Sequence, residues 1–243
     1  MILGIDLRET EQNERFAVLL PLIQNSKIPE HPDSNWRYFL DNGVYTYFDG
    51  MTLAAMLQQL RPKRYLEVGS GFSTALALDI SERFLNNQLS IHCIEPHTTR
   101  LLSLLRATDR EAIEIRETQV QSIPLTFFEC LNPGDVLFID GSHVLKTGSD
   151  LNFVLFEILP RLNSGVYIHF HDIFYPFEYP KSWLEDGIHW NEAYALRAFL
   201  MHNSNFQVEF WTHYFGLIQR QLLERTLPLA MSNIGASLWL RRL

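Results

Sequence analysis

A doubly wound α/β fold, with a mostly parallel sheet and helices on both faces, is what these 243 residues predict. Three observations predict it. Short apolar runs suited to buried strands alternate with segments whose apolar residues recur at helical spacing. A glycine turn, Gly69-Ser-Gly71, joins the first such run to a helix. Two polar clusters, Asp140-Gly-Ser-His143 and His171-Asp172, follow directly on later runs, where a parallel sheet keeps its ligand crevice.

Composition sets the bounds. A hydrophobic content of 47% fills a large core, and a formal charge of −8 without a basic stripe argues against nucleic acid as partner. Two cysteines, Cys93 and Cys130, make no disulfide framework. No apolar run approaches the ~18 residues of a membrane helix, and Met1 to Arg15 lacks the cationic flank and apolar core of a leader. The expectation is a soluble, cytoplasmic protein with a small-molecule partner, no nucleic acid and no membrane. Assembly of identical copies stays open.

Residues 1–50 read as an N-terminal helical extension, with Phe16, Leu19, Leu20 and Ile23 on one face and a proline-rich break at Ile28 to Pro32. Residues 51–243 read as the main domain. Val44, Tyr45, Tyr47 and Phe48 form an aromatic run, either a core edge or a wall facing substrate. Asp49 is placed to cap a helix whose apolar face is Leu53, Met56, Leu57 and Leu60, ended by Pro62. Tyr65 to Val68 is the first strand, and Ser73 or Thr74 is placed to cap the helix after it.

The second strand runs from about Leu89 to Glu95 and is stopped by Pro96. A helix from Thr98 or Thr99 leads to a third strand, Ile113 to Glu117. Asn132-Pro-Gly134 turns the chain into a fourth, Asp135 to Ile139. Leu151, Val154, Leu155 and Ile158 mark one helix, with Asp150 placed to cap or begin it. Val166 to Phe170 is the fifth strand, Glu192 to Met201 another helix, and Phe206 to Trp211 the sixth strand. Ala236 to Leu240 supplies a seventh, pairing antiparallel beside it.

Two acids give the glycine turn a meaning. Glu67, just before the glycines, would repel a pyrophosphate and suits a cationic or amine-bearing ligand. Glu95 closes the second strand roughly 25 residues past the turn, where an acid commonly holds both hydroxyls of a ribose. Together they describe a nucleoside site.

Glu67-Val-Gly-Ser-Gly71, with Glu95, resembles the first motif and ribose-binding acid of the class I S-adenosylmethionine-dependent methyltransferases. Ser73 stands where that motif often has a third glycine. The run from Asp135 to Ile173, with Asp140-Gly-Ser-His143, Asp150 and His171-Asp-Ile173, resembles a small-molecule O-methyltransferase branch that includes enzymes of natural-product sugars. The resemblance spans about Tyr65 to Ile173. It implies a Rossmann-like methyltransferase sheet of seven strands, the last antiparallel. It further implies S-adenosylmethionine held by Glu67, Gly69, Ser70, Gly71, Ser73, Glu95, Pro96 and the Asp140, Gly141, Ser142, His143 turn, with Val120 and Gln121 near the adenine.

Methyl transfer from a sulfonium to oxygen needs an in-line arrangement and a destination for the hydroxyl proton. His143 is the candidate base; the other reading is a turn-stabilising or adenosine-contacting histidine. Asp140 and Asp172, with His171, form the alternative, a divalent metal site for an ion such as magnesium. His169 shares a strand face with His171 and reads as a hydrogen-bonded core histidine. Phe174 to Trp183, rich in aromatics and proline, is either a lid stacking on the acceptor or a packed loop. The reading is a methyltransferase acting on a hydroxylated small molecule. Two others stay open: a non-catalytic S-adenosylmethionine-binding module and a nicotinamide-dependent oxidoreductase.

Overall fold

The computed structural model describes residues 2–243. Its strands are β1 (Arg64–Val68), β2 (Ser90–Ile94), β3 (Ile113–Arg116), β4 (Val136–Ile139), β5 (Tyr167–Phe170), β6 (Phe206–Trp211) and β7 (Leu238–Arg242). They form one sheet in the order β3-β2-β1-β4-β5-β7-β6. The pairs from β3 to β5 are parallel, and β7 runs antiparallel to both β5 and β6. The expected seven-stranded, mostly parallel sheet is therefore present. The last strand begins two residues later than expected and inserts between β5 and β6.

Alternation along the strands explains the two cores. Tyr65, Cys93, Phe138 and Trp239 pack into one apolar layer with Leu53, Leu57, Leu76 and Ile80, from helices α2 (Tyr47–Leu60) and α3 (Phe72–Phe84). Leu66, Ile94, Ile139 and Ile168 point the other way, into a layer with Leu151, Val154 and Leu196. Sheets covered on both faces require apolar side chains at consecutive strand positions, which β1 and β4 supply. Helix α1 (Glu9–Ser26) carries Phe16, Leu19 and Ile23 into the first layer and runs through Pro21 without a break.

Three expected helix caps are placed differently. Helix α2 starts at Tyr47, so Asp49 lies inside its first turn, 3% exposed. The Asp49 carboxylate accepts bonds from the Ala236 and Ser237 amides and the Thr212 hydroxyl, tying α2 to the approach to β7. Gly71 is the N-cap residue of α3, and the Thr74 hydroxyl accepts from the Gly71 amide at 3.2 Å, so of the two expected residues Thr74 takes part in the cap from within the first turn. Ser149, not Asp150, caps the helix that opens at Asp150 by accepting from the Asn152 amide at 3.2 Å. That helix, α4 here (Asp150–Phe153), widens into a π turn over Val154–Ile158 and tightens at Leu159–Arg161, near Pro160. Among the described residues no helix is long and apolar enough to cross a membrane.

Candidate functional site

The carboxyl ends of β1, β2 and β4 open onto a cavity of about 490 Å³. That volume suits a nucleoside-sized ligand. Gly69, Glu95, Pro96, Val120, Gln121, Asp140, Gly141 and Ser142 line it, together with His97, Lys146 and Ser149. The expected residues Glu67, Ser70, Gly71, Ser73 and His143 lie outside this lining.

Backbone geometry explains why the turn is built of glycine. Gly69 sits at φ +89°, and a Cβ there would come within 2.0 Å of the Asp140 carbonyl oxygen. The β1 turn can thus lie directly against the residue that ends β4. At the rim, the Glu95 carboxylate accepts from the Ser70 amide at 3.1 Å and the His97 amide at 2.7 Å. Two carboxylate oxygens offer about four acceptor positions, so capacity for ribose hydroxyls remains.

Glu67 has a different environment from the one its position suggests. Its carboxylate is fully buried and accepts from the Ser73 and Thr74 hydroxyls, with the Cys93 thiol at 3.7 Å. Burial pushes it up to about 8, against the lowering effect of those two hydroxyls. Even-odd alternation puts residue 67 on the side of the sheet that α3 covers, so it fastens the first turn of that helix from below instead of facing the cavity.

The second cluster lies where β4 and β5 end. Asp140, His171 and Asp172 bring one donor atom each within 4.8 Å of one another. His171 Nδ1 lies 3.4 Å from Asp140 Oδ1 and 3.5 Å from Asp172 Oδ2, while its Nε2 lies 3.4 Å from Asp49 Oδ2. His143 Nε2 faces the same carboxylates at 3.3 and 3.9 Å, and its Nδ1 bonds Glu192 at 2.6 Å. His143 and Asp172 both hold φ +58°, a left-handed conformation costly for residues with a Cβ. The side chains of both histidines are 6% exposed, against 26% for Asp140 and 18% for Asp172, so the carboxylates form the open face.

The electrostatics follow from this packing. Burial disfavours a charged His143, but Asp140 and Glu192 overcome it and push the imidazole up to about 10. His171 is likewise raised despite burial, by Asp172, Asp140 and Asp49. Burial opposes ionisation of Asp140, yet the two histidines hold it well below the usual carboxylate range. Asp172 and Glu192 are raised by burial.

Two expectations change here. A general base must reach the acceptor hydroxyl with a free nitrogen. Both His143 nitrogens face carboxylates, which raise its pKa, and its ring lies 4.0 Å from that of Trp190. The geometry makes it a link between Glu192 and the carboxylates, not a base. Magnesium asks for an octahedron of oxygens. A set that includes His171 Nδ1 does not fit it.

His169 is a core histidine, stacked on Phe138 at 3.9 Å with Nε2 at 2.8 Å from the Ser237 hydroxyl. Burial, then the neighbouring His171, lowers its pKa. Asp150 is not a cap; it accepts from the Ser142 amide at 2.7 Å and from the Ser142 hydroxyl, bracing the turn after β4. The aromatic segment packs on itself, with Phe174, Trp183 and Trp190 joined by edge contacts of 5.0 and 5.2 Å, and reaches the cluster through Trp190. Tyr45 covers the other side, 4.9 Å from the His171 ring.

Asp49 and Glu192 are the site residues that sequence reasoning missed. Asp49 was visible only as a helix cap. Glu192 stands 49 positions from His143, and nothing local announces their contact.

Comparison with known proteins bears on the same stretch. Residues 66–173 match a family model described as a methyltransferase domain, the family expected from Glu67-Val-Gly-Ser-Gly71 and the strand ends. An uncharacterized protein from Archaeoglobus fulgidus is 34% identical over 132 residues, which cover 54% of this chain and 59% of that protein. The match thus spans less than two thirds of the relative's length. Among solved structures, the SAH-bound Podospora anserina methyltransferase PaMTH1 is similar over 100% of this chain and 99% of its own, at 13% identity and a TM-score of 0.49. The O-methyltransferase TomG from Streptomyces achromogenes, involved in tomaymycin synthesis and in complex with SAM, is similar over 65% of this chain and 70% of its own, at 18% identity and a TM-score of 0.45.

Proposed function

We propose that the chain transfers a methyl group from S-adenosylmethionine to a hydroxyl of a small molecule. The observation that carries this reading is the continuity of two sites through one residue. Asp140 lines the nucleoside-sized cavity and also belongs to the His171–Asp172 cluster. The methyltransferase-domain match over residues 66–173 supports the choice of cofactor.

In this reading Glu95 holds the ribose, and Val120 and Gln121 border the adenine. The Gly69 turn lets the cofactor lie close to the backbone, with its sulfonium toward Asp140. The acceptor hydroxyl approaches over Asp140 and Asp172, the exposed side of the cluster. Its oxygen attacks the methyl carbon in line, the carbon–sulfur bond breaks, and S-adenosylhomocysteine leaves as a neutral thioether. The hydroxyl proton passes to the carboxylate side, where Asp172 is positioned to accept a hydrogen bond from it. Orientation alone supplies much of the rate of such a displacement. Trp190 and Trp183 offer an apolar wall for the rest of the acceptor.

The test is calorimetry with S-adenosylhomocysteine, followed by mass-spectrometric screening of a library of hydroxylated molecules with S-adenosylmethionine. Binding with methylated product is expected. Binding without any product would favour a non-catalytic binding module, and absence of binding would remove the reading.

A further inference from the structure

We propose that Asn191 is a positioning residue that couples the nucleoside-sized cavity to the aromatic wall on the acceptor side, so that a ligand in the cavity also orders Trp183 and Trp190. The turn after β4 carries this. Val144, Lys146, Gly148 and Ser149 of that turn line the cavity, and Gln121 reaches across to it, its Nε2 donating to the Gly148 carbonyl at 2.8 Å. Asn191 fastens the same turn from outside. Its Oδ1 accepts from the Leu145 amide at 2.6 Å, and its Nδ2 donates to the Leu145 carbonyl at 3.2 Å. One carboxamide thus takes both backbone groups of Leu145. The Asn191 and Glu192 amides add bonds to the His143 carbonyl, at 3.1 and 3.2 Å.

On its other side Asn191 is joined to the aromatic wall. It directly follows Trp190, whose ring lies 4.0 Å from that of His143 and 5.2 Å from that of Trp183. The Tyr179 hydroxyl accepts from the Ala193 amide at 3.0 Å, which anchors the wall beside Asn191 at a second point. Among the described residues, nothing beyond Asp150 lines the cavity. A ligand filling it therefore meets the turn and not the wall. Restricting one partner of a two-point clamp restricts the other, which is how ordering is shared between sites without a change of fold. The turn lies inside the stretch matched by the methyltransferase-domain model, residues 66–173, and Asn191 lies outside it. The proposal rests on the cavity being the cofactor site, and its test separates the two.

The experiment is hydrogen–deuterium exchange of the full chain, with and without saturating S-adenosylhomocysteine, read by mass spectrometry in peptides covering residues 143–149 and 183–190. The Trp183, Gly187 and Ile188 amides bond the Pro180, Leu184 and Trp183 carbonyls, so their exchange reports order within the wall. In wild type the ligand should slow exchange roughly fivefold or more in both peptides. In Asn191→Leu the slowing should persist at 143–149 and fall below about twofold at 183–190. Asn191→Asp keeps the acceptor for the Leu145 amide and loses the donor, so it should fall between the two. A merely structural role would raise exchange equally with and without ligand and leave the ratio unchanged; melting curves measured alongside check the fold. Slowing confined to 143–149 in wild type would overturn the coupling and leave the cofactor reading standing. A wild-type ratio at 183–190 in Asn191→Leu, or in Asn191→Asp should the leucine variant not fold, would overturn the role of Asn191. Absence of binding to wild type would overturn the cofactor reading and the coupling together.

Discussion

The Asp140 carbonyl occupies the space where a side chain on Gly69 would have to be, 2.0 Å from the position of a Cβ. This contact holds the β1 turn against the end of β4, and both residues line the cavity. Gly69→Ala should therefore strain the backbone at φ +89° and push the turn off Asp140. We expect a loss of about 1–3 kcal/mol in unfolding free energy. Cofactor-product affinity should fall roughly tenfold or more, measured by calorimetry. A variant of wild-type stability and affinity would mean that the contact does not shape the site.

Glu95 accepts from two backbone amides, on the rim of the cavity. Glu95→Ala should weaken S-adenosylhomocysteine binding by about 1.5–3 kcal/mol, roughly 10- to 100-fold. Unfolding measured beside it should change little by comparison. Equal affinity in the variant would place the ribose elsewhere.

Glu67 makes stability depend on pH. Its carboxyl lies near 4.5 when unperturbed and is pushed up to about 8 in the fold. Between those values the native chain keeps a proton that the unfolded chain has released. This contribution is therefore full below about 4.5 and is lost as pH rises toward 8, by at most about 1.4 kcal/mol per pH unit. Glu67→Gln should flatten the curve, which denaturant titrations across that window would show. An unchanged slope would assign the dependence to another group.

Arg37 ties the segment before α2 to the sheet domain. Its guanidinium bonds Asp79 at 2.7 Å and Asp109 at 2.6 Å, and the side chains of the three are 6%, 0% and 4% exposed. Removing the cation takes the buried guanidinium from two buried carboxylates, leaving Asp79 with the amides of residues 37 and 38 and Asp109 with the Arg106 amide and its more distant charge. Arg37→Met should cost about 3–5 kcal/mol, read from chemical denaturation. A loss below about 1 kcal/mol would mean that the pairing behaves as an exposed salt bridge.

The order of strands and helices was legible because it is written locally. Tyr65, Leu66 and Val68, or Val136 to Ile139, are apolar at consecutive positions because both faces of a parallel strand are covered. The glycines of the first turn, Glu95, and the clusters at the ends of β4 and β5 were legible for a similar reason: each lies at a fixed offset from a strand end. Cap positions were less legible, since Asp49, Ser73, Thr74 and Asp150 all have side chains suited to capping. In the fold each has a stronger use, bonding groups distant in the chain or fastening a neighbouring turn.

The sequence by itself determined the alternation of elements, the methyltransferase-like turn and the meeting of Asp140 with His171 and Asp172, because strand period and strand-end placement need only local pattern. Only the tertiary structure decided that Glu67 lies beneath α3, that both nitrogens of His143 are taken, and that Asp49 and Glu192 stand behind the two histidines. Those outcomes depend on how helices from distant parts of the chain pack on the sheet, and on the cost of leaving a buried charge without a partner.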